Sequence, residues 1–96
     1  MMRGYFVFDI EIIDQEKYDQ YRKMVPSSLE AYGGRFLVRG GKIEGLEGEW
    51  SPKRFGILEF DSAEKARAWY DSPEYAPAKA LRHQAARSKI LIVEGV

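Results

Sequence analysis

The sequence contains no cysteine, no asparagine and no threonine, and its only histidine is His83. Without cysteine there is neither a disulfide nor a thiolate metal site, and a reducing compartment suits the chain. One histidine and no close acidic cluster on a helix face leave no strong metal site. The missing asparagine and threonine remove many catalytic constellations before geometry is considered. Net charge is lacking too. The 15 Lys and Arg residues balance 15 Asp and Glu residues, so no global field draws in nucleic acid or an anionic membrane. No apolar run approaches the ~20 residues of a membrane span. Met1-Met2-Arg3-Gly4 runs into a strand without a signal-peptide core. The expectation is a cytoplasmic protein with no membrane or nucleic-acid partner, no metal and no cofactor. No G-x-S-x-G is present, and Gly40-Gly41-Lys42 lacks the other residues of a P-loop.

What is present reads as one domain over residues 1–96. Tyr5 to Ile13 alternates as a strand, with Phe6, Phe8, Ile10 and Ile12 on one side and Tyr5, Val7, Asp9 and Glu11 on the other. Asp14 is placed to cap a helix whose stripe is Tyr18, Tyr21, Val25, Leu29 and Tyr32. Pro26 inside it predicts a kink or restart, and Gly33 a left-handed C-terminal cap. Arg35 to Arg39 and Phe55 to Phe60 read as strands, joined by the long polar loop Gly40 to Pro52. Asp61 with Glu64 reads as a capping pair for a helix carrying Ala66, Trp69 and Tyr70. Ser72-Pro73 stops it and starts another helix, with proline first and Ala78, Leu81 and Ala85 as its stripe. Ile90 to Val93 is the last strand. The class is α+β: a ferredoxin-like βαββαβ order with a four-stranded antiparallel sheet.

Both helical segments cover one face of such a sheet and leave the other open. With Gly56, Leu58 and Phe60 facing the helices, Phe55 and Ile57 face outward, and Phe6, Phe8, Ile10 and Ile12 are expected to join them. That is a large apolar surface for a monomer, so a homodimer paired sheet against sheet is expected.

The chain resembles the small bacterial family known as domain of unknown function 1330. The resemblance rests on Tyr32-Gly33-Gly34-Arg35-Phe36, Arg39-Gly40-Gly41, Leu46 to Arg54, Glu59-Phe60, Ala68 to Tyr75 and Val93-Glu94-Gly95. It implies the dimeric α/β-barrel superfamily, in which two ferredoxin-like sheets close into a barrel with the helices outside. That superfamily includes cofactor-independent quinone-forming monooxygenases, haem-degrading enzymes, muconolactone isomerases, dehalogenase-like proteins and ligand-sensing domains. The haem-degrading members use an Asn, Trp and His set. Trp69 and His83 match two of the three, but the chain has no asparagine.

Several side chains are candidates for chemistry. Asp9 and Arg39 are charges inside strand patterns. A desolvated Asp9 would serve as a base, with Arg39 polarising or holding an anion; the alternative is a structural ion pair. Trp50 and Arg54 border the long loop and suit a planar anionic ligand through stacking and paired hydrogen bonds; the alternative is a loop anchor. Tyr75 follows the helix break and would donate a hydroxyl into a cavity, or belong to the core. His83, among Lys79, Arg82 and Arg87, is a candidate general base or a surface residue near a helix C-terminus.

The leading expectation is a cofactor-independent enzyme, monooxygenase- or isomerase-like, acting on a small aromatic or acidic metabolite. The alternative is a non-catalytic binding protein using the same pocket. A remote alternative is an RNA-recognition module, because Lys53 to Phe60 matches part of the third-strand octet and Phe6 stands where a stacking aromatic is expected.

Overall fold

A computed structural model describes residues 2–96. The elements follow the order β1 (Gly4–Ile12), α1 (Gln15–Glu30), β2 (Arg35–Arg39), β3 (Phe55–Phe60), α2 (Ala63–Tyr70), α3 (Ala76–Ala85) and β4 (Ala86–Glu94). The sheet order is β2-β3-β1-β4 with each neighbouring pair antiparallel. This is the ferredoxin-like α+β arrangement, its second helical segment split in two.

Local chemistry sets the boundaries. The Asp14 carboxylate accepts the Lys17 backbone N–H at 3.1 Å and caps α1. Gly33, with φ +69°, supplies the left-handed residue just after α1. α1 continues through Pro26 as one element instead of restarting, with the proline ring on its exposed side. The cap of α2 is Ser62, whose Oγ accepts the Lys65 N–H at 3.1 Å. Asp61 is not the cap; it sits within ion-pair reach of Arg3 and Lys65. Ser72 organises the turn ahead of α3, its Oγ accepting the Tyr75 N–H at 3.1 Å and donating to the Trp69 carbonyl at 2.7 Å. α3 therefore starts at Ala76, one turn beyond Pro73.

The facing of β1 is the reverse of the sequence expectation. Residues directly opposite in an antiparallel pair share a face. Phe6 lies opposite Leu58 and Phe8 opposite Gly56, so these aromatics lie on the helix side. Phe6, Phe8 and Ile10 are 3%, 8% and 2% exposed. They join Leu58 and Phe60 under α1 and α2, where Trp69 stacks on Tyr75 at a 4.0 Å centroid distance and meets Phe6 edge-on at 5.1 Å. Burial of Phe6 also removes the base-stacking platform that an RNA-recognition module needs.

The other sheet face carries Tyr5, Val7, Asp9 and Glu11 of β1, Phe55, Ile57 and Glu59 of β3, and Arg87, Lys89, Leu91 and Val93 of β4. Its apolar part is smaller than expected. Leu91 and Val93 remain about half exposed, and no element among the described residues covers them.

Candidate functional site

A cavity opens on the helix side of the sheet, roofed by α1 and closed at one end by α3. Its apolar wall is Phe6, Phe8, Ile10 and Leu58 of the sheet with Val25 of α1. Tyr18 and Tyr21 project from the α1 stripe into it. Phe36, Trp69 and Ile90 also line it, with four arginines: Arg22, Arg39, Arg54 and Arg82. The cavity measures about 30 Å³, more than the roughly 10–15 Å³ that one water needs. The lining includes no carboxylate, histidine or lysine.

Each arginine is delivered by a different local device. Plain alternation along β2 would put Arg35 and Arg39 on the same face. A bulge between Phe36 and Val38 breaks it: Arg35 lies opposite Glu59 on the open face, and Arg39 opposite Gly56 on the helix side. Arg39 then rests over the Phe36 ring, 4.4 Å from its centroid. Arg54 owes its place to Gly40. That residue has φ +64°, and a Cβ there would stand 2.9 Å from Arg54 Nη1. The Arg54 guanidinium lies 5.7 Å from the Tyr18 ring centroid.

Arg82 is the deep member. It occupies the buried stripe of α3 between Ala78 and Ala85 and is 2% exposed. Its Nε–H donates to the Tyr75 hydroxyl at 3.2 Å, and Nη1 donates to Ser88 Oγ at 2.8 Å. The Tyr75 and Tyr21 hydroxyls share a hydrogen bond of 2.9 Å. A polar chain therefore runs Ser88–Arg82–Tyr75–Tyr21 through the interior. Burial opposes the charge on Arg82, but the oxygens of Tyr75 and Tyr21 outweigh it and raise the pKa above the usual arginine value. Burial, followed by Tyr75, pushes the Tyr21 hydroxyl far up, so Tyr21 is a neutral hydrogen-bonding group. Among the described residues, Arg82 Nη2 is the one buried side-chain polar atom with no partner, and Arg39, Arg54 and Arg82 form no ion pair.

The sequence-derived candidates divide between the two faces of the sheet. Arg39 and Arg54 reach the cavity. Tyr75, fully buried, stands behind it, hydrogen-bonded to Arg82 and Tyr21. Asp9 does not join them. It lies on the open face, where Oδ1 accepts the Lys53 backbone N–H at 2.9 Å and Oδ2 the Trp50 indole N–H at 3.3 Å. Trp50 meets Phe55 edge-on at 5.9 Å and is 61% exposed. Asp9 and Trp50 thus hold the loop to the sheet and border an open groove with Glu11 and Arg87. His83 is exposed on α3 and lines neither space. Partial burial, then Arg82 and Lys79, lower its pKa. In the sequence Arg82 stands only as a neighbour of His83. The available signal was spacing, since residues 78, 82 and 85 form a helical stripe.

Chemically, a lining of arginines without a carboxylate suits negative charge. It has neither the carboxylate nor the histidine of an ordinary general base, and its buried guanidinium is preorganised to stabilise an anion. Among the described residues no cluster of metal-ligating side chains exists, and no helix is long and apolar enough to cross a membrane.

Known structures share the architecture at low identity. The protein RPA0582 from Rhodopseudomonas palustris, of unknown function, is 18% identical with a TM-score of 0.78, over 99% of this chain and 83% of that one. A Bacteroides thetaiotaomicron protein of unknown function, with oxidoreductase as its suggested class, is 18% identical with a TM-score of 0.58, over 97% and 96% of the two chains. A Nitrosomonas europaea protein assigned provisionally to antibiotic biosynthesis monooxygenases is 16% identical with a TM-score of 0.56, over 99% and 90%. No curated protein matches the chain. Residues 3–96 match the family described as domain of unknown function (DUF1330), and this chain belongs to that family.

Proposed function

We propose that this chain binds a small aromatic or acidic metabolite at the arginine-lined cavity, whose space of about 30 Å³ admits the anionic group, and acts on it without a metal or tightly held cofactor, as a monooxygenase- or isomerase-like enzyme. One observation carries the reading: Arg39, Arg54 and Arg82 converge on an aromatic-walled space whose lining has no carboxylate. A bound phenolate, enolate or carboxylate supplies the missing negative charge, and the guanidinium groups stabilise it as it forms. The suggested oxidoreductase and monooxygenase classes of two fold neighbours support this reaction type.

A homodimer belongs to the same proposal. Val7, Ile57, Leu91 and Val93 form an apolar strip on the uncovered sheet face, and a second copy laid sheet against sheet would bury it.

The binding-protein reading is favoured by one specific observation, the lack of any carboxylate, histidine or lysine in the lining. A panel of phenolic and carboxylated aromatics separates the two, with oxygen uptake, product formation and thermal stabilisation measured side by side. Product formation supports the enzyme. Saturable stabilisation without product supports the binder. No stabilisation and no product across the panel would sink both.

A further inference from the structure

We propose that Arg82 is the anchor for the ligand, and that the cavity selects a carboxylate, or an equivalent small planar oxyanion, whose head fits the space of about 30 Å³ beside Arg82. The inference rests on the cavity being the working site, and it names the chemical class that site takes.

A buried arginine is ordinarily paired with an acid, because an uncompensated interior charge is costly. Arg82 is 2% exposed and has no carboxylate partner. Its Nε and Nη1 are spent on the neutral oxygens of Tyr75 and Ser88. Nη2 is buried and donates to nothing. The residue lines the cavity, so an acceptor for that nitrogen has a place to sit. Water would supply an acceptor but no charge. A carboxylate supplies both, and its oxygens match guanidinium geometry.

The surroundings suit a small anion. Arg39 is exposed and Arg54 half-buried, and both lie on the β2–β3 side of the cavity, away from Arg82 on α3. Positive charge therefore draws an acid inward from the mouth. The wall between mouth and anchor is Phe8, Ile10 and Tyr18. The Tyr75 hydroxyl fixes the Arg82 fork from behind, so the donor is oriented before a ligand arrives.

The test compares acetate, small enough for the space beside Arg82, with its uncharged amide, acetamide, by calorimetric titration at constant ionic strength. Wild-type protein should bind the acid about tenfold or more tightly than the amide, as expected for a hydrogen bond to a charged group. Arg82→Met should lose that preference, and Arg82→Lys should keep part of it. Arg87→Met, on the other face of the sheet and outside the cavity, should preserve the preference. Where Arg82→Met fails to fold, the guanidinium ¹⁵N resonances of wild-type Arg82 give a second readout and should shift with the acid and not with the amide. Equal binding of acid and amide by the wild type would overturn the anchor and leave the cavity as a binding site. A preference that survives in folded Arg82→Met, or acid binding that leaves the Arg82 resonances unmoved, would also overturn it. No binding of either probe would count against the anchor and the cavity together.

Discussion

The Asp9 carboxylate accepts the backbone N–H of Lys53 at 2.9 Å, tying the end of the long loop to β1. Its second oxygen takes the Trp50 indole N–H at 3.3 Å. A carboxylate committed to two donors on the open face is a structural pin, on the other side of the sheet from the arginines. Asp9→Ala should loosen the loop while the cavity stays intact. The loss is about 1–2 kcal/mol, because the bonds are charge-assisted but partly solvated. Hydrogen exchange should quicken across residues 40–54, and affinity for cavity ligands should not change. A drop in ligand affinity with an undisturbed loop would restore Asp9 to the site.

Close packing beneath the cavity supports a second prediction. The Phe8 ring occupies the space a Gly56 side chain would need: a Cβ there would lie 2.0 Å from Phe8 Cζ. Gly56→Ala must push Phe8 out of the cavity wall. Overpacking of this kind costs about 1–3 kcal/mol, read as a lower urea midpoint at unchanged slope. An unaltered midpoint would show that the ring has room to move.

These two positions mark how far the sequence could be read. The element order, the Asp14 cap, the Gly33 turn and both spans of β2 and β3 follow from local chemistry, and local chemistry is what sequence displays. The facing of β1 does not. Alternation assigns Phe6 and Val7 to opposite faces without saying which face is covered, and only the pairing of Phe6 with Leu58 decides it. The β2 bulge has no glycine to announce it, yet it alone carries Arg39 to the helix side. Trp50 and Arg54 are four residues apart but separated by the sheet, because the loop returns to Asp9 before β3 begins. Arg82 does not stand out in the sequence because a charged residue in a helix usually faces water. Its place between Ala78 and Ala85 was the contrary signal.

The uncovered sheet face carries the third prediction. Leu91 is 56% exposed beside Val93 at 48%, opposite Val7 across the β1–β4 pair. A lysine there meets water in a monomer and costs little, within about 0.5 kcal/mol. In a sheet-to-sheet homodimer the same lysine is driven into the interface. Leu91→Lys should therefore turn a dimer into a folded monomer by sedimentation velocity, with an unchanged circular dichroism spectrum. A wild-type monomer, or a variant that remains dimeric, would remove the sheet face as the interface.

Glu59 sets an acid limit to stability. Burial pushes its carboxyl up, but the hydrogen bond from Arg35, the Tyr5 hydroxyl and the charges of Arg35 and Arg3 outweigh that and hold the pKa below the ordinary glutamate value. In the folded state the group therefore binds fewer protons than in the unfolded chain. The stabilisation is complete above the unfolded value of about 4.3. It is lost as pH falls below that value and through the lower folded one. Arg35 is 47% exposed at its side chain, so solvent screening keeps the contribution small. Glu59→Gln should flatten the fall in melting temperature between neutral pH and pH 3 without changing its alkaline side. Arg35→Gln should act on the same limb, and the double variant should add little to either single change, since both remove one pair. Additive effects would mean that Arg3 and Tyr5, rather than Arg35, hold the Glu59 charge.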